Sequence, residues 1–159
     1  MFPAESGRAG IGEQVFFSSD VSQMAGVTLR QLQWWDERKI VSPRKQDHRR
    51  LYSPRQVLEI LAAGELRRKG LSLQKIRRLV RLLRRGLEQR AGDDLESASR
   101  WFVLTDGQSL FFEERPERVL ARLAAAGNAM FLVCLSDLIH RILARDSPRR
   151  LSTRQLSLF

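Results

Sequence analysis

The chain has 159 residues, enough for one ordinary domain or two small ones, and its 43% hydrophobic content describes a folded rather than a disordered protein. No apolar run approaches the roughly 18 residues that would span a membrane, residues 1–17 lack the pattern of a secretory signal, and Cys134 as the sole cysteine excludes an intramolecular disulfide and points to a reducing cytoplasm. The net charge of +10 is unevenly placed: residues 1–92 carry 19 Lys+Arg against 9 Asp+Glu, whereas the remainder carries 9 of each, which suggests a polyanion-binding first half and a neutral second half.

Residues 1–16 read as a flexible lead. Ser18 and Ser19 then stand before Val21, Met24 and Ala25, an amphipathic segment with hydroxyls available for capping. Gly26 interrupts the pattern and Thr28 restarts it, with Gln31 placed for a capping box. Leu29, Leu32 and Trp35 form an apolar stripe at helical spacing. Two short helices joined by a Gly-containing turn are the raw form of a helix-turn-helix. The next segment, residues 42–52, is too polar to fold inward and contains Arg44, Lys45, His48, Arg49 and Arg50. A basic loop returning through Leu51 and Tyr52 reads as a wing, a hairpin that lies along a DNA backbone. Ser53-Pro54-Arg55-Gln56 combines an N-cap, a first-turn proline and a capping-box glutamine, so a third helix starts there and stops at Gly70. Ser72 opens a fourth, with Leu73, Ile76, Leu79, Val80 and Leu83 as its buried face. Lys75, Arg77, Arg78, Arg81, Arg84 and Arg85 crowd the rest, either as a solvated face or, beside the wing, as phosphate contacts.

Residues 17–85 resemble the DNA-binding domain of the mercury-resistance-type (MerR) transcriptional regulators. The resemblance is carried by Val21, Ala25-Gly26-Val27-Thr28, Arg30, Leu32, Trp34-Trp35-Asp36-Glu37, Pro43, Arg50-Leu51-Tyr52-Ser53 and Gly70-Leu71-Ser72-Leu73 with Ile76. It implies that Thr28 and Arg30 enter the major groove, where the planar fork of arginine can pair with guanine. It also implies that Arg50 and Tyr52 hold the backbone, with packing as the other role open to Tyr52, and that Arg67-Arg68-Lys69 make a second wing-like contact. Two departures stand out. Trp34 and Trp35 replace the family's usual tyrosines, and Gln33 replaces an arginine, which changes the chemistry offered at both places.

The long pairing helix common in that family does not follow. Residues 89–99 read as a linker, and 100–146 as a small α+β unit. Trp101–Thr105 and Ser109–Phe112 are strand-like runs around the turn Asp106-Gly107-Gln108. Pro116 starts a helix, Met130–Leu135 is a buried strand, and Ser136-Asp137 begin a short last helix. A unit this small is marginal alone, which makes it a candidate dimerisation module. Cys134 in an apolar strand is a core residue, His140 has no partner at metal-ligand spacing, and no metal or cofactor is expected. The sequence lacks a phosphate loop, a nucleophile elbow and HExxH, so catalysis is not expected. Residues 147–159 read as a flexible, basic tail. Its end, Gln155-Leu156-Ser157-Leu158-Phe159, resembles the peptide by which bacterial replication and repair proteins dock on the DNA polymerase sliding clamp, with Leu156, Leu158 and Phe159 as apolar anchors.

The expectation is therefore a mainly α protein: a winged helix-turn-helix over 17–88, a linker, a small α+β domain and a flexible tail. Its leading function is that of a cytoplasmic, nucleoid-associated dimeric regulator of promoter DNA. The alternatives are an adaptor tethered to the sliding clamp, or a ligand sensor centred on residues 100–145.

Overall fold

The structure is a computed structural model that describes the backbone of residues 14–156 and the side chains of residues 14–145. Strand β1 (Phe16–Phe17) leads into helices α1 (Ser18–Ala25) and α2 (Leu29–Glu37). The hairpin β2 (Arg44–Gln46) and β3 (Arg49–Tyr52) follows, then the long helices α3 (Pro54–Arg68) and α4 (Leu73–Arg90). The second half holds α5 (Leu95–Ala98), β4 (Phe102–Thr105), β5 (Leu110–Glu113), α6 (Pro116–Ala125), β6 (Phe131–Cys134) and α7 (Leu135–Leu156). The described residues are thus mainly α, with two three-stranded antiparallel sheets ordered β1-β3-β2 and β5-β4-β6.

Local chemistry sets the helix ends. α1 closes at Gly26, whose φ of 66° is the left-handed conformation a residue with a Cβ resists. The amide of Val27 then reaches back to the Ser22 carbonyl at 3.3 Å. α3 ends the same way, with Gly70 at φ 99° and paired bonds from Gly70 to Arg67 and from Leu71 to Leu66, the Schellman arrangement. Thr28 and Ser53 each make full capping boxes with Gln31 and Gln56, as their spacing predicts. The start of α1 differs from expectation. Ser18 and Ser19 lie inside the helix, and the carboxylate of Asp20 accepts the Phe17 amide at 2.9 Å instead.

Phe16 is buried in a strand paired with Tyr52, so the ordered fold begins inside the stretch that composition assigned to a flexible lead. An aromatic pair has apolar area to bury and uses it here. Within 89–99, read as a linker, α4 extends to Arg90 and α5 buries Leu95 and Ala98. The last helix is not short. α7 runs through Leu156, including part of the stretch read as a flexible tail; a proline such as Pro148 removes one backbone hydrogen bond without obliging the helix to stop. Ser157, Leu158 and Phe159 lie outside the described residues.

α3 is the axis of the protein, with every residue from Val57 to Gly64 buried. On one side it meets α1 and the hairpin, and on another α4. The second sheet and α7 complete the same hydrophobic cluster, which includes Val103, Val133, Leu135, Leu138 and Ile142 beside Ile60, Ala63 and Leu79. Strand β6 is half-buried at the sheet edge rather than fully enclosed, because β4 takes the central position. Polar ties reinforce the joint. Lys69 donates to the Leu132 carbonyl at 2.7 Å, Arg141 to Glu65 at 3.3 Å, and Arg145 pairs with the buried Asp20 at 3.6 Å and contacts Gln23.

Candidate nucleic-acid interface

Once the core has claimed Leu32 and Trp35, the rest of α2 is free to face outward. Thr28, Arg30, Gln31 and Gln33 are exposed along its first turns. The Thr28 hydroxyl accepts the Gln31 amide at 3.0 Å, and Gln31 returns the bond at 2.8 Å. Both are therefore held by the cap, and Arg30 projects between them without an ion-pair partner among the described residues. Gln33 is spanned to Glu37 at 3.0 Å, and Arg38 stacks on the half-buried Trp34 at 4.8 Å. Leu29, expected in the buried stripe, is 56% exposed. It sits at the mouth of the helix, where an apolar side chain can meet a thymine methyl group. Sequence periodicity could not separate it from the core, since one apolar residue off the stripe by a single turn reads the same.

The hairpin lies beside this face. Its register pairs Arg44 with Leu51 and Gln46 with Arg49, so the two-residue turn is Asp47-His48. Both have positive φ, 50° and 65°, the geometry of a hairpin turn whose twist matches the strands. Arg44, Lys45, His48 and Arg49 are exposed on it, and Arg49 also stacks over Phe17 at 5.7 Å. Between the hairpin and α2 runs an open groove of about 400 Å³ lined by Phe17, Ser18, Ser19, Leu29, His48, Arg49 and Arg50. The hydroxyls of Ser18 and Ser19 at the start of α1 were not anticipated as part of this surface; the only signal for them was their place at a helix N-terminus, where oxyanions are favoured.

Two expected contacts take other roles. Tyr52 is fully buried, so its phenol offers nothing to a duplex; burial pushes its pKa up from 10.0, against the lowering effect of the neighbouring Ser18 side chain. This corrects the backbone-holding role and leaves packing. Arg50 is half-buried, with its guanidinium 2.9 Å from Asp36, which also takes Lys45 at 3.4 Å. Asp36 thereby joins α2 to the hairpin and fixes the angle between them, leaving Arg50 only part of its edge for a phosphate.

The turn between α3 and α4 presents Arg67, Arg68 and Lys69 at the surface, each with a structural task. Arg67 donates to the Leu71 carbonyl, Arg68 to the carbonyl of Ala25 at the end of α1, and Lys69 to β6. Behind the interface, Glu59 is buried and grips Arg84 through two bonds of 2.9 and 3.0 Å. Arg84 also donates to the Ile40 carbonyl at 3.1 Å, and its pKa is raised by the hydrogen bonding to Glu59. Cys134 is half-buried with its sulfur 3.1 Å from the Ser136 hydroxyl, and His140 is exposed. Among the described residues there is no metal-binding cluster and no helix long and apolar enough to cross a membrane. Gln155 and Leu156 lie in the last turn of α7.

Helix, left-handed turn and helix, followed by a basic hairpin, form a helix-turn-helix arrangement with an exposed basic face. Residues 17–83 match the model of the MerR HTH family regulatory proteins, consistent with an N-terminal domain of that type. No curated protein matches the chain.

Proposed function

We propose that two copies of this chain act together on promoter DNA, each placing the first turn of α2 in the major groove and the β2–β3 hairpin as a wing along the flanking phosphates. The observation that supports this most directly is the exposed α2 face bearing Arg30 together with a hairpin bearing exposed Arg44, Lys45 and Arg49, with Leu29 of α2 and Arg49 of the hairpin lining one groove. Base edges read from α2 supply specificity, while the hairpin supplies position and salt-dependent affinity. Thr28, Gln33, Trp34 and His48 border that surface, and the two-fold symmetry of a dimer matches a two-fold DNA site. The test is sequencing of genomic fragments retained by the purified protein at moderate salt, then Arg30→Ala on the recovered site. Loss of a bidentate base contact weakens binding about 5–100-fold and relaxes preference at that position. Unchanged affinity overturns the role of Arg30.

A second reading concerns the peptide Gln155-Leu156-Ser157-Leu158-Phe159. Its likeness to the sliding-clamp docking peptide makes the chain a DNA-bound adaptor to the replication machinery. Three apolar anchors on a polar, basic approach segment favour it. Deleting residues 155–159 abolishes association with the clamp in this reading and leaves duplex affinity intact; clamp association that survives the deletion refutes it.

A further inference from the structure

We infer that the outer face of α4 is a second phosphate-binding surface, which holds duplex DNA flanking the site read by α2. This rests on the DNA-binding reading of the helix-turn-helix and extends it. Arg77, Arg78, Arg81 and Arg85 are all exposed, and among the described residues none has a carboxylate or any other hydrogen-bond partner. Many cations elsewhere are paired instead. Asp36 collects Lys45 and Arg50, Glu65 collects Arg68, Lys69 and Arg141, and Glu113 takes Arg122. Even on α4, the arginine that points inward, Arg84, is fully paired. The outward row, like Arg30 on α2, is left without counter-charges among the described residues.

The spacing adds to the argument. Arg77, Arg81 and Arg85 are four residues apart, so they stack along one side of the helix about 6 Å apart. Like charges at that interval destabilise a helix, and a polyanion relieves the repulsion. Arginine rather than lysine at every position suits forked contact with phosphate oxygens. The row's place in the fold identifies which phosphates. Arg84, one turn from Arg81, bonds the Ile40 carbonyl, so this part of α4 lies at the C-terminal end of α2, away from the turn that carries Arg30. A duplex reaching the row from α2 must continue beyond the recognition site and curve around the protein, a bend whose cost the added contacts offset.

The experiment compares a short duplex covering one recovered site with a duplex extended by about two helical turns on each side, each measured across a salt series. Full-length protein binds the extended duplex more tightly and with a steeper salt dependence. The variant Arg77→Ala/Arg78→Ala/Arg81→Ala/Arg85→Ala keeps its affinity for the short duplex and loses the gain with length. Its slope of log affinity against log salt on the long duplex falls by up to about 3.6, the value for four phosphate contacts. The four-lysine variant keeps most of the slope. Alanine favours helix, so folding is preserved, and a circular-dichroism melt verifies it. The inference is overturned if length brings no gain in the full-length protein, or if the alanine variant retains that gain, which reassigns the row to an acidic protein surface. It is also overturned if the gain appears only as two duplexes bridged together. Failure of the short duplex to bind is a separate outcome that refutes the α2 reading, and Arg30→Ala on that duplex isolates it.

Discussion

Gly86 is where a single methyl group tests the joint between the two halves of the chain. It sits on the buried side of α4, and a Cβ built there lies 2.1 Å from Cε2 and 2.3 Å from Cζ of Phe112 on β5. Unstrained carbon contacts begin near 3.5 Å, so the ring must retreat by about 1.4 Å. It has little room to do so. The Arg90 guanidinium lies 4.2 Å from its centroid, and Trp101 meets it edge to face at 6.2 Å. Alanine should otherwise improve a helix interior by about 1 kcal/mol relative to glycine, whereas overpacking costs about 1–3 kcal/mol. Displacing the ring from its place beside Arg90 and Trp101 adds part of the roughly 2 kcal/mol that burying a phenylalanine contributes. Gly86→Ala is expected to destabilise the protein by about 1–3 kcal/mol net, measured by chemical denaturation. In a Phe112→Ala background the obstacle is gone, and the same substitution should become stabilising by about 0.5–1 kcal/mol. That reversal of sign is the decisive observation. If Gly86→Ala alone leaves the denaturation midpoint unchanged or raises it, β5 does not pack on α4 as described.

Two further substitutions probe the interior behind the interface. Arg84→Ala leaves Glu59 buried without its cation and the Ile40 carbonyl without a donor, and should cost about 3–5 kcal/mol in denaturation. Glu59→Gln should cost clearly less, since the Arg84 side chain is 37% exposed and can turn to water; equal losses would refute this asymmetry. For Tyr52, burial raises the phenol above its ordinary value of 10.0, so the stability it confers is present below about pH 10 and lost as pH rises through the folded-state value. Tyr52→Phe removes the titrating hydroxyl and at most its contact with the Ser18 side chain, so it should cost no more than about 1 kcal/mol at neutral pH and flatten the alkaline limb of the melting profile. A larger neutral-pH loss, or an unchanged alkaline limb, would refute this.

Most of the first half was legible because its signals are local. Thr28 with Gln31, Ser53 with Gln56, and the glycines at 26 and 70 specify helix ends through bonds within a few residues, and the structure uses all of them. The strand–strand–helix–strand order of β4, β5, α6 and β6 followed from alternation and turn residues in the same way. What the sequence hid depends on distant partners. Tyr52 faces the core because β1 pairs with β3 in a particular register, and nothing near Tyr52 encodes Phe16. Arg50 was identified as a cation but not as the partner of Asp36, fourteen residues away. The arginines of α4 look alike in sequence, and only the fold separates the inward Arg84 from its outward neighbours. The flexible tail expected from residue 147 onward differs from the structure for the opposite reason, since local polar composition was given more weight than the helix that continues through Leu156.

The shared hydrophobic cluster has a bearing on how such a chain can be altered by evolution or by design. Proteins whose DNA-reading part folds by itself can exchange everything behind it by recombination, because the cut exposes little apolar surface. Here a cut after Arg90 would uncover the flanks of α3 and α4 now covered by Val103, Val133 and Leu138. It would also free Asp20 from Arg145 and the α3–α4 turn from Leu132. The back half is therefore bound to the front as the second shell of a nut is to its kernel: neither a spare part nor a replaceable head. Changes in one half must be answered in the other, as the tie between Asp20 on α1 and Arg145 on α7 illustrates.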